Sequence, residues 1–184
     1  MTNNLKIGID ISQIIYEGTG VAEYVRKLVS QLLAIDQKNE YILFFSHQSA
    51  KITNYKLQIT NKFPNSKFRI REFQIPIQFL ELLWNRLHII PIEWFIGDID
   101  IFYTSDWVEP PAKKAKKITT IHDLSIYKVP ESFDKKIIEV HKRKLRWVAK
   151  ESSAILCDSE ATKRDAHELL HIENERLHVV YPGI

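Results

Sequence analysis

The chain has 184 residues, of which 45% are hydrophobic and 27% are charged, and its net charge is mildly basic at +3. This composition is typical of a globular protein and excludes a disordered chain, a collagen-like repeat and a disulfide-stapled scaffold. The length fits one large α/β domain or two small ones.

Short apolar runs alternate along the chain with longer stretches of helical periodicity. Strands are predicted at 5–11, 40–45, 68–74, 100–103, 117–121, 154–157 and 177–181. Helices are predicted at 21–35, 134–149 and 159–170. The polar residues 46–67, interrupted by 56–60, predict a variable excursion. Strands joined by crossover-length helices predict a Rossmann-like, doubly wound α/β fold, with a mainly parallel sheet and helices on both faces.

Residues 79–95 are unusually rich in Leu, Ile and Trp and are interrupted by Pro91. The first part, 79–90, is apolar on more than one helical face, and Trp84 and Trp94 with Arg86 would suit the interface of a bilayer. Packing on the predicted sheet explains the same pattern, and so does a surface that meets a second domain. All three interpretations stay open.

In a doubly wound sheet, ligands bind beyond the carboxyl ends of the strands. After the first strand come Gly18, Thr19 and Gly20, whose backbone can approach a ligand closely and opens a helix with free N–H groups suited to phosphate. A plain helix N-terminus explains the same residues equally well. Glu23 occupies the third glycine position of a dinucleotide fingerprint, which argues against a Rossmann oxidoreductase.

A second strand end carries the run Thr119-Thr120-Ile121-His122-Asp123-Leu124. His122 would point into the crevice, where an imidazole exchanges hydrogen bonds with a sugar hydroxyl or a phosphate near pH 7. Asp123 would either orient this imidazole or stay solvated. The other six histidines are expected to be structural, and no Cys/His cluster predicts a metal.

A third strand end carries Asp158-Ser159-Glu160-Ala161-Thr162-Lys163. Asp158 or Ser159 is a suitable N-cap, and Glu160 suits the first turn of the helix that follows. The Lys163 ammonium and the free N–H groups of this turn could also meet a ligand.

Four motifs therefore follow the first strand in a fixed order: G-T-G-V-A-E-Y-V-R-K-L, T-I-H-D-L, S-E-A-T-K-R-D and V-V-Y-P-G. Together they resemble the N-terminal domain of retaining GT-B glycosyltransferases of family four. The resemblance covers nearly the whole chain and is weakest over 46–95. It implies a transferase whose active site lies in the cleft between two Rossmann-like halves.

The resemblance also implies roles for the residues at the strand ends. His122 would contact the transferred sugar, and Asp123 would belong to the same cluster. The turn at Gly18, Thr19 and Gly20 would approach the donor diphosphate or the acceptor. The implied mechanism keeps the anomeric configuration and needs no metal or other cofactor, since the nucleotide-sugar donor is itself a substrate.

Three further residues are expected to bind substrate. Ser159 and Lys163 would line the cleft, as in the family the chain resembles. Trp107 follows a strand end, where it would stack on an acceptor sugar or anchor its own loop.

The resemblance implies that residues 1–184 form one Rossmann-like domain, the acceptor-binding half of the enzyme. The sequence stops at Pro182-Gly183-Ile184, where the family's linker to the donor-binding domain begins. We therefore expect a C-terminal GT-B domain, in cis or as a separate chain, to bind the donor, and we expect this chain alone to be inactive. The expected acceptor is a glycan or a lipid-linked sugar, with peripheral membrane contact and no nucleic acid.

A non-catalytic module that binds phosphate or polyanions is the alternative function. Residues 113–150 carry twelve Lys or Arg residues against four carboxylates, which favours anionic partners. A solvated helix face produces the same pattern. No aromatic ladder interleaves these charges, which argues against single-stranded nucleic acid.

The only cysteine, Cys157, lies in an apolar run and predicts a buried structural thiol. Because no second cysteine is present, no disulfide can form within the chain, which fits a reducing compartment. The first residues lack a signal-peptide pattern, and no run of about 18 apolar residues would span a membrane. We therefore expect a cytoplasmic protein, peripheral on the inner face of the membrane.

Overall fold

Parallel strands form the sheet that the sequence predicts. A computed structural model describes residues 4–48, 61–62, 68–104 and 106–183. Within these residues there are seven strands: β1 Lys6–Asp10, β2 Glu40–Ser46, β3 Phe68–Phe73, β4 Ile101–Thr104, β5 Lys116–Ile121, β6 Ser152–Cys157 and β7 Leu177–Val179. Their order is β3-β2-β1-β4-β5-β6-β7, and every neighbouring pair is parallel. The predicted doubly wound fold is confirmed.

Six α-helices connect or follow these strands in the described part of the chain. They are α1 Gly20–Ile35, α2 Ile77–Leu80, α3 Glu93–Ile96, α4 Ser125–Lys128, α5 Lys135–Glu151 and α6 Glu160–Leu170. The three long helices begin where a side-chain oxygen of Thr19, Asp134 or Ser159 accepts a backbone N–H of the first turn. These caps explain why the helical patterns read from the sequence start close to the observed positions.

The strand β2 is buried on both faces and divides the core. Leu43 and Phe45 pack with Val29 of α1 on one face of the sheet. Phe44 packs with Trp84 on the other face. A third cluster lies under α5 and α6 around the buried side chain of Cys157. This arrangement confirms both the helices on two faces and the buried thiol.

The segment 79–95 differs most from its prediction. The short helix α2 continues into a six-residue π-helix, Glu81–Arg86, and the left-handed residues His88 and Ile90 then reverse the chain ahead of α3. Some of its side chains are buried and others are exposed to solvent: Trp84 is fully buried, whereas Leu87 is half exposed. Packing on the sheet therefore accounts for only part of this apolar stretch.

The excursion predicted at 46–67 lies largely outside the described residues. Within the part of the chain that the structure describes, no helix is both long and apolar enough to cross a membrane.

Gly8 provides a test of the packing at the centre of the sheet. A Cβ added at Gly8 would lie 2.7 Å from Ile96 Cδ1 and 2.8 Å from Phe102 Cδ2. We expect Gly8→Ala to lower the free energy of unfolding by about 1–3 kcal/mol, because overpacking forces neighbouring side chains to shift. Urea denaturation measures this change. Gly20→Ala is the matched control, since nothing lies within 4 Å of its added Cβ, and equal losses in both variants would contradict the packing.

The Cys157 thiol provides a second test. Burial raises its pKa from the ordinary value of 9.0 to about 11, which leaves roughly a hundredfold less thiolate at neutral pH. We expect a disulfide reagent to modify the native protein far more slowly than the protein in guanidinium. Similar rates in the two states would show that the thiol is accessible.

Candidate functional site

The strand ends singled out in the sequence meet at one edge of the sheet. β1 leads to the turn at Gly18, β4 to Trp107, β5 to His122 and β6 to Asp158. The chain builds outward from β1 in one direction through β2 and β3, and then in the other direction from β4 onward. Doubly wound folds bind ligands at this kind of switch point, beyond the carboxyl ends of the strands.

Three neighbours hold His122 in place. Its Nδ1 lies 2.7 Å from Asp158 Oδ2, and the Tyr24 ring stands edge-on to it with the centroids 4.9 Å apart. The Thr162 hydroxyl donates to the His122 carbonyl at 3.2 Å. With Asp158 accepting from Nδ1–H, the other nitrogen, Nε2, has no hydrogen-bond partner within the described residues and is the one offered to a ligand.

Asp158, rather than Asp123, orients the imidazole. The Asp123 side chain is exposed, and its Oδ1 accepts the Ser125 N–H at 2.7 Å. Of the two roles considered for Asp123, orienting His122 is therefore wrong. The register explains the choice: Ile121 of β5 pairs with Cys157 of β6, so the residues that follow them lie side by side.

The glycine turn lies at the rim of this site. Gly18 has a φ of 82°, a conformation that favours glycine. Thr19 Oγ1 donates to the Tyr16 carbonyl at 2.8 Å and accepts the Ala22 N–H at 3.3 Å. The Cβ positions of Gly18 and Gly20 face open space, so a ligand can approach this backbone.

A cavity of about 210 Å³, hereafter the His122 cavity, surrounds the end of β5. Its polar lining comes from Asp106, Thr120, His122, Asp123, His141 and Lys144. Val21, directly after the glycine turn, adds to its apolar lining. The cavity is therefore lined by residues of α1, β5 and α5 and by two imidazoles, His122 and His141.

His141 and Lys144 are cavity residues that sequence reasoning missed. Burial lowers the pKa of His141, which the Asp106 charge opposes, so its ring is neutral at pH 7. Burial likewise lowers the pKa of Lys144, against the charges of Glu109, Asp106 and Asp10. Lys144 is 2% exposed, and its Nζ lies 3.4 Å from Thr119 Oγ1. The two residues are three positions apart and so lie on one face of the helix, which is the only signal that could have found them.

An apolar groove of about 470 Å³ lies beside the His122 cavity. It runs between the segment 77–86 and α5, and Ile137 lines both spaces. Trp107 lines the groove, and its ring lies 4.8 Å from that of His141. The lining is mostly apolar but also contains Gln78, Glu81, Arg86 and Lys136. Arg86 Nε lies 3.1 Å from Glu81 Oε2, so these two charges pair with each other.

Two other predicted residues lie beside the site without lining these spaces. Ser159 Oγ accepts the Thr162 N–H at 3.0 Å, which confirms its capping role. Lys163 lies one turn further along α6 and is partly buried. Neither belongs to the lining of the His122 cavity or the apolar groove.

The described residues contain no group of three or more His, Cys, Asp or Glu side chains placed to hold a metal ion. Chemically, the site combines one oriented imidazole, a buried lysine, a second neutral imidazole and an adjoining apolar surface. Such a set is suited to a ligand with hydroxyl groups at one end and apolar character at the other.

Comparison with known proteins gives matches among solved structures and a match to one family model. A short-chain dehydrogenase from Oenococcus oeni PSU-1 is 14% identical, with 96% of this chain and 74% of that chain covered and a TM-score of 0.40. No curated protein matches the chain significantly. Residues 18–184 match the sequence model of Glycosyltransferase Family 4, and the chain therefore belongs to that family.

Proposed function

We propose that this chain is the acceptor-binding domain of a retaining glycosyltransferase, which transfers a sugar from a nucleotide-sugar donor to a glycan or lipid-linked acceptor. The observation that carries the proposal is His122, held by Asp158 at a strand end beside an apolar groove, in a chain of this family. A C-terminal domain, in cis or as a separate chain, would bind most of the donor. This domain alone would then be catalytically incomplete.

His122 is the proposed contact to the transferred sugar. Asp158 accepts a hydrogen bond from Nδ1–H and fixes the ring, so Nε2 can accept a hydrogen bond from a sugar hydroxyl. The open backbone at Gly18–Gly20 would approach the donor diphosphate from the same side. Stabilising the negative charge on the departing diphosphate would contribute most to the rate, and the donor domain would supply most of it.

The apolar groove is the proposed seat of the acceptor. Its lining is mostly apolar, and Lys136 adds a cation that suits a phosphate next to a hydrocarbon chain, whereas Arg86 pairs with Glu81 of the same lining. Phe79, Leu82 and Leu87 expose apolar surface on the same segment. The protein would therefore contact the membrane peripherally, because a lipid-linked acceptor would be presented at the membrane surface.

The contacts of the basic segment argue against the polyanion-binding alternative. Lys117 and Lys144 are buried, and Arg143 lies 2.8 Å from a Glu81 oxygen. Others engage aromatic rings or carboxylates, such as Lys128, which pairs with Asp165. The positive charge that residues 113–150 expose at the surface is therefore smaller than the excess counted from their sequence.

The first test is a transfer assay with UDP- and GDP-sugars as donors. We expect the chain alone to give neither donor hydrolysis nor transfer, and we expect activity when it is mixed with a C-terminal domain of the same family. The physical reason is that acceptor and donor groups must meet in one cleft. No hydrolysis or transfer by either the chain alone or the mixture, together with tight heparin binding that salt abolishes, would instead support the polyanion-binding module.

The second test concerns the His122–Asp158 pair in the active mixture. We expect Asp158→Ala to lower turnover roughly ten- to a hundredfold, because the imidazole loses its orientation. His122→Ala should cost a similar factor, and the double variant should cost little more, since the two residues act as a unit.

Asp165→Ala is the matched control, because it removes a carboxylate of α6 that pairs with Lys128 away from the cavity. The NMR signal of the His122 Nδ1 proton should change in Asp158→Ala and stay unchanged in the control. Fully multiplicative losses in the double variant would show that the two residues act independently.

A further inference from the structure

A chain of three hydroxyl groups, hereafter the hydroxyl cluster, runs from the core side of β4 to the neighbourhood of His122. Its members are Tyr103 in β4, Thr120 in β5 and Tyr24 in α1. The Tyr103 hydroxyl forms a hydrogen bond with Thr120 Oγ1, and the Tyr24 hydroxyl lies 3.2 Å from the same oxygen. The cluster therefore connects three elements of the fold at the end of β5.

Burial stabilises this cluster in one arrangement. Tyr103 is 8% exposed and Thr120 is 4% exposed. Burial raises the pKa of Tyr103 well above its ordinary value, and the neighbouring Tyr24 raises it further, so Tyr103 keeps its proton. A hydroxyl withdrawn from water costs free energy unless it is hydrogen-bonded. The two buried hydroxyls therefore favour the position of the partly buried Tyr24 side chain in which all three groups are bonded.

The Tyr24 ring carries this restraint to His122. The two rings stand at 85° to each other, with their centroids 4.9 Å apart. Asp158 holds the imidazole at Nδ1, but one hydrogen bond restrains that nitrogen more strongly than it restrains the tilt of the ring. An aromatic ring packed at a right angle restricts the tilt. The direction of Nε2 therefore depends on Tyr24 as well as on Asp158.

Tyr24 also connects the imidazole to the glycine turn. It lies four positions after Gly20, the first residue of α1, so about one helical turn separates them. In the proposed function the glycine turn approaches the diphosphate and His122 contacts the transferred sugar. The spacing between these two contacts must then be constant. The hydroxyl cluster holds the first turns of α1 against β4 and β5, and so maintains that spacing.

We propose that Tyr24 is a positioning residue of the transferase, held by Thr120 and Tyr103, which sets the tilt of the His122 ring and its distance from the glycine turn. This inference rests on the proposed function. Tyr24 lies outside the lining of the His122 cavity and acts through His122. A misdirected Nε2 weakens a contact that matters most in the transition state, so the loss should appear in kcat rather than in KM.

The first test uses the 184-residue chain and the variant Tyr24→Phe, which keeps the ring and removes the hydroxyl. In the native chain we expect NMR to show one set of His122 ring signals and close contacts between the two rings. In Tyr24→Phe these contacts should weaken and the His122 ring signals should broaden or split. Identical His122 signals and ring contacts in the two proteins would overturn the proposal.

Tyr41→Phe is the matched control, because it removes a tyrosine hydroxyl that fixes the other end of α1. The Tyr41 hydroxyl donates to Asp36 Oδ2 at 2.6 Å. Since this bond is made to a carboxylate, its loss should lower the melting temperature at least as much as Tyr24→Phe does. The His122 signals should nevertheless stay unchanged. An equal change of these signals in both variants would show only a general loosening of α1 and would overturn the proposal.

The second test measures transfer in the active mixture with a C-terminal domain. We expect Tyr24→Phe to lower kcat about tenfold while KM changes by less than about twofold, and we expect Tyr41→Phe to leave kcat unchanged. Tyr103→Phe breaks the cluster away from His122 and should lower kcat in the same direction. The double variant of Tyr24 and Tyr103 should cost little more than Tyr24→Phe alone, since the hydroxyls act as a unit. Fully multiplicative losses would overturn the shared cluster.

The two measurements separate this inference from the proposed function. An inactive native mixture would reject the glycosyltransferase, whereas the NMR comparison would still decide whether Tyr24 positions His122. An active native mixture in which Tyr24→Phe keeps the native kcat would retain the proposed function and overturn the positioning role.

Discussion

A buried lysine between two carboxylates holds together the elements on which the site depends. Lys117 Nζ lies 3.0 Å from Glu109 and 2.8 Å from Glu151. Glu151 ends α5 and also contacts His88, and the Glu109 N–H donates to Asn85. The contact thus joins β5, the loop after β4, the end of α5 and the segment 81–90. Removing one partner from such a buried pair leaves an uncompensated charge, at a cost of about 3–5 kcal/mol.

These contacts hold α5 in place, and α5 lines both the His122 cavity and the apolar groove. One end of the helix is tied to the sheet through Glu151, and its middle is tied to the π-helix through Arg143 and Glu81. Ile137, in the first turn of the same helix, lines both the His122 cavity and the apolar groove. The distance between the imidazole and the groove is therefore set by the core of the domain. The contacts within this domain therefore hold the His122 cavity and the apolar groove in place without a partner domain.

The sequence predicted the strands and long helices well, because alternation and apolar runs report burial directly, as in β2. It could not choose the carboxylate that holds His122, since that depends on the register between β5 and β6, whose facing residues lie 36 positions apart. Nor could it predict the π-helix, which follows no simple period.

The order of strands has a consequence for how the chain folds during synthesis. β1 is made first, yet it lies inside the sheet and pairs with both β2 and β4. The pairing with β2 closes over α1 alone, whereas the pairing of Ile7 with Ile101 must wait for more than half of the chain. Until β4 emerges from the ribosome, β1 presents an open hydrogen-bonding edge. The nascent domain therefore exposes a strand edge, where aggregation can begin, until the non-local pairing with β4 forms.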